Sequence, residues 1–356
     1  MDKGFLLAES REVPMHVGGV ALYTVPEGVD TAEFLHGMAD NLRDATEFLP
    51  PFGDRLKTGR LGLAGPTYWE PDPSLDLDYH IRHSALPQPG RYRELFTLVS
   101  RLHATLLDRN RPLWEMHLIE GLPNRQFAAY TKTHHAAVDG ARSVHIARSM
   151  LSADPDHRLP DSPLSLDSWK RYRAGLKRGG AGAPSDGQLR NVVEALKASY
   201  DSGAQLYGVA RRITRAWTGD DNLLLPFLKV PTSSLNTSVD GARRFVAQSW
   251  PFDRIKAVAK AFDGTFNDAV LAMCGGALRT YLQNHAELPE ESLKAMVPVS
   301  VRAEGDVDSS NAVAAINADL GTNIQDPSRR FAAIRESTLA GKSLYADLSP
   351  GEAQLF

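Results

Sequence analysis

Hydrophobic and polar positions repeat with a period of two in several short runs and with a period near 3.6 in longer ones. That mixture predicts an α/β chain. Residues 15–23 (MHVGGVALY) predict a strand with a Gly-Gly pair, read as a bulge or as a close approach to a ligand. Phe34, Leu35, Met38 and Leu42 form one stripe of a helix over 31–46, which ends before Pro50-Pro51. Short strands and turns are expected over 60–90, with alternation at Tyr68-Trp69-Glu70 and through 75–83. Leu95, Leu98, Leu102 and Leu106 predict an amphipathic helix over 93–107. Residues 125–140 (RQFAAYTKTHHAAVDG) begin as a strand. Phe127, Ala129, Thr131, Thr133 and His135 fall on one face, and Ala128, Tyr130, Lys132 and His134 on the other. A turn and a helical stripe of Val144, Ala147, Met150 and Leu151 follow. Two adjacent histidines therefore close a strand, and the pleat points them in opposite directions. Unequal roles are expected.

Periodicity is lost over 152–187, and 177–187 reads as a flexible linker. A helix over 189–217 ends in Arg211, Arg212 and Arg215. It suits a surface helix whose cations complement the helix dipole, or a contact with a lipid surface. A strand over 244–250, a helix over 252–262, and a helix opening at Thr265-Phe266-Asn267-Asp268 come next. Thr265 and Asp268 have the spacing of a capping box. Gly275-Gly276 inside that helix costs about 1 kcal/mol each relative to alanine, so another element is expected to pack closely there. Cys274 beside them reads as a core residue. Residues 294–301 and 311–320 predict strands, and 329–344 a helix.

Composition narrows the picture. With 356 residues, 42% of them hydrophobic, the chain can fill a large core, expected as two domains. The net charge of −3 does not suit a nucleic-acid binder. One cysteine allows no intrachain disulfide. The N-terminus lacks a signal-peptide pattern, and no run nears the roughly 20 apolar residues of a membrane span. A cytoplasmic protein, soluble or peripherally membrane-bound, is expected. No HExxH or cysteine pair is present, and adjacent histidines on opposite strand faces do not readily share an ion, so no metal is expected. No G-x-S-x-G elbow occurs and Cys274 has no basic neighbour, so no covalent acyl-enzyme is expected.

His134-His135-Ala136-Ala137-Val138-Asp139-Gly140 fits HHxxxDG, the motif of the CoA-dependent acyltransferase superfamily with its chloramphenicol-acetyltransferase-like fold. Four further segments occur in matching order: Phe5-Leu6-Leu7-Ala8-Glu9 with Met15-His16-Val17-Gly18-Gly19; Pro112-Leu113-Trp114-Glu115; Asn267-Asp268; and Pro298-Val299-Ser300-Val301-Arg302. Together they make the chain resemble the bacterial wax ester synthase/diacylglycerol acyltransferase family.

The resemblance implies two α/β domains with mixed sheets flanked by helices and a tunnel at their interface. Boundaries are expected at 1–155 for an N-terminal acyltransferase domain, 156–242 for a crossover, and 243–356 for a partial C-terminal domain. Family members continue past the position of Phe356, which leaves the second domain incomplete. The implied activity moves a fatty acyl group from acyl-CoA, a substrate rather than a cofactor, to a long-chain alcohol or a diacylglycerol. His135 is the implied general base, supported by His134, with Asp139 holding the loop through Arg302. Asp139 as a helix N-cap is an equally structural reading. Trp114, Pro112, Asn267 and Gly140 are implied substrate contacts. Trp114 also reads as a core aromatic, and Asp268 as structural. Implied partners are a peripheral membrane or lipid-droplet surface, a separate chain carrying the absent C-terminal segment, and a second copy in a homodimer. Two alternatives share the motif: a carrier-protein-dependent condensation-type acyltransferase, and a non-catalytic lipid-binding or lipid-droplet scaffold.

Overall fold

The structure, a computed structural model, describes residues 2–60, 62–138, 140–154, 160–178, 230–300 and 313–345. The expected helix over 189–217, with Arg211, Arg212 and Arg215, lies outside them, as do most of the linker, Asp139 and Arg302. The chain forms two compact units.

The first unit holds α1 (Asp2–Ala8), β1 (His16–Thr24), α2 (Thr31–Arg43), β2 (Asp54–Gly59), β3 (Gly62–Pro71), α3 (Leu77–His80), β4 (Ile81–Ala85), α4 (Tyr92–Ala104), β5 (Trp114–Glu120), β6 (Gln126–His134), α5 (Gly140–Ser149) and α6 (Leu166–Arg178). Its main sheet runs β1-β6-β5-β4. β6 pairs antiparallel with both neighbours, and β4 runs parallel to β5, so the sheet is mixed. Helix α2 begins where the Asp30 carboxylate accepts from Glu33 N–H. Its Leu35, Ala39 and Leu42 pack with Trp114, Met116, Leu118 and Phe127 on one face of the sheet. On the other face Leu95 and Val99 of α4 pack with Ile119, Ala128 and Tyr130. This second face also buries a charge. Lys132, 1% exposed, donates from Nζ to the carbonyls of Leu102 (3.0 Å) and Thr105 (2.9 Å) and lies 3.3 Å from Glu115 Oε2. The ammonium thereby satisfies carbonyls left open at the end of α4.

Four local expectations are corrected. Residues 75–83 are not a continuous strand. Asp76 caps Tyr79 N–H and draws the chain into the single turn of α3 before β4 begins. Gly18-Gly19 is not a bulge, because β1 pairs with β6 in unbroken register. A Cβ on Gly18 would stand 3.0 Å from both His103 Nδ1 and the Tyr130 ring, so packing alone accounts for that glycine. Residues 160–178 belong with the first unit, where Leu164 and Trp169 enter its core. Residues 244–250 form no strand, for they find no ladder partner. Instead Phe245 N–H donates to Ser100 Oγ (2.8 Å), the Phe245 ring meets Phe96 edge-on, and Arg243 reaches the Glu12 carbonyl.

The second unit holds α7 (Phe252–Ala261), α8 (Phe266–Asn284), β7 (Lys294–Ser300), β8 (Val313–Asp319) and α9 (Pro327–Tyr345). β7 and β8 pair antiparallel, and Leu271 and Leu282 of α8 pack with Val297, Ile316 and Ile334. Gly275 shows why α8 tolerates a glycine. A Cβ there would lie 2.2 Å from the Leu320 carbonyl oxygen. Gly275→Ala must therefore push the helix off this backbone, and is expected to lower the urea-unfolding free energy by about 3 kcal/mol. Cys274 is exposed, a correction to its expected core position. The buried stripe of α8 runs through Asp268, Ala269, Leu271, Gly275 and Leu282, and Cys274 falls beside it.

Candidate active site

The end of β6 is fixed by its neighbours. His134 N–H donates to the Leu113 carbonyl (2.9 Å) and His135 N–H to the Met15 carbonyl (2.8 Å). The ladder thus runs one residue past β6. Strand alternation places His134 on the face of Lys132 and Tyr130, and His135 on the face of Thr131 and Thr133.

The two rings have different surroundings. His134 is fully buried. Its Nδ1 accepts from Ala136 N–H at 3.0 Å. In the neutral ring the proton therefore sits on Nε2, which faces Glu9 Oε1 at 3.4 Å. His135 is half-buried and stacks on Phe5, with ring centroids 4.1 Å apart and planes inclined by 21°. Phe5 and Glu9 lie one helical turn apart at the end of α1, so a single element touches both histidines.

Glu9 joins three groups. Arg109 donates to its Oε2 from Nη2 (2.9 Å) and Nε (3.2 Å), and Met15 N–H donates to Oε1 (3.2 Å). Arg109 Nη2 also donates to the Leu6 carbonyl at 2.8 Å, tying down the last turn of α1. Burial pushes the Glu9 carboxyl up. The His134 ring beside it and the hydrogen bonds from Arg109 and Met15 outweigh it and hold the group at about 2. Glu9 is therefore a carboxylate at any working pH.

Nearby His16 donates from Nε2 to the His103 carbonyl (2.7 Å), and burial lowers its pKa from 6.5 to about 4. Burial likewise lowers His80 and His103. These rings are neutral in the folded chain, whereas the unfolded chain protonates them below about pH 6.5. Stability is therefore fully present above that pH and falls as His16 is forced to charge, until about pH 4. Glu9 adds a second loss between its unfolded value of 4.5 and about 2. The urea midpoint is expected to drop continuously from pH 6.5 downward. A flat profile between pH 6.5 and 4 would contradict the buried neutral histidines.

The remaining expected site residues are placed as follows. Trp114 is 2% exposed, stacks on His80 and donates from Nε1 to the Phe52 carbonyl at 2.9 Å. Pro112 precedes it and accepts Trp114 N–H. Gly140 is the first residue of α5. Asn267 is exposed in the first turn of α8 on the second unit. Asp268 closes the capping box, accepting from Thr265 N–H (2.8 Å) and Thr265 Oγ1 (2.7 Å) while Thr338 Oγ1 donates to its other oxygen (2.8 Å). Burial raises its pKa, but these bonds prevail and hold it below the usual range. Among the described residues no group of three His, Cys, Asp or Glu is placed to hold a metal ion. None of their helices is long and apolar enough to cross a membrane. Sequence reasoning quoted Phe5 and Glu9 only within a family segment and assigned neither of them, nor Arg109, to the site. The available signal was an acidic residue one turn after Phe5 on an otherwise apolar stripe, a position that calls for a buried partner.

Comparison with known proteins decides the family. Residues 1–270 match the wax ester synthase/diacylglycerol acyltransferase catalytic domain. The chain belongs to this family. A probable diacylglycerol O-acyltransferase of Mycobacterium tuberculosis is 43% identical, covering 98% of this chain and 74% of its own length. The wax ester synthase/diacylglycerol acyltransferase of Marinobacter aquaeolei VT8 is 36% identical and superposes with a TM-score of 0.68, over 97% of this chain and 72% of that one. A condensation domain of the CDA synthetase, 15% identical with a TM-score of 0.53 over 96% of this chain and 73% of its own, shares the fold alone. The mixed α/β fold is thus the chloramphenicol-acetyltransferase-like one, and the chain is an acyltransferase of the wax ester synthase/diacylglycerol acyltransferase family.

Proposed function

We propose that the chain moves a fatty acyl group from acyl-CoA to the hydroxyl of a long-chain alcohol or a diacylglycerol, with His135 as general base. The observation that carries this reading is the asymmetry of the paired histidines. His134 is buried, with Nδ1 committed to Ala136 and Nε2 turned to Glu9, so it supports the turn. His135 is half-buried, on the sheet face that also carries half-buried Thr131 and Thr133. An imidazole there can take the acceptor's proton as its oxygen attacks the thioester carbonyl. The tetrahedral intermediate collapses by breaking the C–S bond. The CoA thiolate leaves with the bonding electron pair and takes the proton back from the imidazolium. The step balances without a metal, a redox partner or an acyl-enzyme. The family motif implies loop-holding roles for Asp139 and Arg302. The lipophilic acceptor places the enzyme at a membrane or lipid-droplet surface.

Chromatography of the products from radiolabelled palmitoyl-CoA with hexadecanol or dioleoylglycerol tests this. Labelled wax ester or triacylglycerol is expected. Product formed only when the acyl group is supplied on a carrier protein would instead support the condensation-type reading.

A further inference from the structure

We infer that Thr131 and Thr133 determine acceptor specificity, their hydroxyls donating to the ester carbonyls of a diacylglycerol whose free hydroxyl lies at His135. This rests on the acyl-transfer reading above and names its acceptor. Thr131, Thr133 and His135 follow one another at alternate positions of β6 and its one-residue extension, on the same face. That face divides in two. Trp114, Met116, Leu118 and Phe127 are buried under α2, whereas Thr131, Thr133 and His135 remain half-buried.

Polar groups on the opposite face are committed within the protein. Lys132 holds the end of α4 and Tyr130 Oη meets His103 Nδ1 at 2.9 Å. Among the described residues, in contrast, the hydroxyls of Thr131 and Thr133 make no hydrogen bond. β1, at the sheet edge, sets Gly19 opposite Thr131 and Val17 opposite Thr133. Among the described residues, a Cβ on Gly19 would meet only Thr131 Oγ1, at 3.6 Å, an ordinary contact. Unlike Gly18, Gly19 is required by no packing neighbour among the described residues. Its φ lies outside the left-handed region, so the backbone does not require glycine either. The absent side chain leaves open the space above a donor.

The acceptor's chemistry decides what fits. A diacylglycerol carries two ester carbonyls within a few bonds of its free hydroxyl, and each can accept from a threonine. A long-chain alcohol has only methylenes there and would cover both hydroxyls without satisfying them, which is unfavourable. The strip therefore favours the diacylglycerol.

The test replaces both threonines by valine, which keeps the β-branched shape and the strand preference. With palmitoyl-CoA as common donor, kcat/KM is measured for dioleoylglycerol and for hexadecanol, and thermal unfolding is followed in parallel. For Thr131→Val/Thr133→Val, kcat/KM with dioleoylglycerol is expected to fall by about ten- to a hundredfold, that with hexadecanol to hold or rise. Serine at both positions returns the hydroxyls and is expected to restore the diacylglycerol rate. An equal fall with both acceptors, or no fall with dioleoylglycerol, overturns the inference while leaving acyl transfer intact. A wild-type chain that turns over neither acceptor overturns acyl transfer itself, and the inference with it.

Discussion

His135→Ala is expected to lower acceptor-dependent acyl transfer by roughly 10²–10⁴-fold, the range associated with losing a positioned general base. The fold should stand. His135 is half-buried, and its stack on Phe5 contributes about 0.5–1.5 kcal/mol. Its backbone bond to Met15 does not involve the side chain. His134→Ala should behave differently. It removes the acceptor for Ala136 N–H and the ring beside Glu9, all within a fully buried site. Leaving a buried donor unsatisfied costs about 1–3 kcal/mol, and the cavity adds to that. The two variants are separated by measuring rate and melting temperature together. His135→Ala should lose rate at nearly unchanged melting temperature, while His134→Ala should lose both. The reverse pattern would exchange their roles.

Glu9→Gln carries the second large effect. The amide keeps the shape of the carboxylate and can still accept from Met15 N–H, but it removes the charge that Arg109 meets with two hydrogen bonds. Arg109 then keeps the Leu6 carbonyl and loses its ionic partner. Removing one member of a buried ion pair costs about 3–5 kcal/mol. Partial exposure of Arg109 reduces that here to about 2–3 kcal/mol. Activity should fall as well, by at least about tenfold, because α1 places both Phe5 on His135 and Glu9 beside His134. Urea unfolding and steady-state rates check both effects. Pairing Glu9→Gln with Arg109→Leu in a double-mutant cycle should recover part of the stability loss. Additive losses would show that the two side chains are not coupled.

Much of this arrangement was legible in the chain. The alternation around Thr131, Thr133 and His135 assigns them to one face. The helical stripe at Phe34, Leu35, Met38 and Leu42 becomes α2, with Leu35 and Leu42 buried. The Thr265–Asp268 spacing becomes the capping box that opens α8. What was not legible depends on contacts distant in sequence. The Glu9–Arg109 pair spans a hundred residues, and no local pattern encodes it. The alternation through 75–83 yielded to Asp76, whose side chain competes for the backbone and closes a turn. The apolar positions of 244–250 resemble a strand, but a strand exists only when a neighbour accepts its hydrogen bonds. Here Phe245 found a hydroxyl and an aromatic ring instead. Gly18 and Gly19 look alike in sequence and differ only through what stands on each side of β1.

The most direct measurement is CoA thiol release from palmitoyl-CoA, with and without dioleoylglycerol or hexadecanol, for the wild-type chain and His135→Ala side by side. Release that rises with acceptor in the wild type and is lost in the variant is the expected result. Equal acceptor-dependent release by both proteins would contradict His135 as the base.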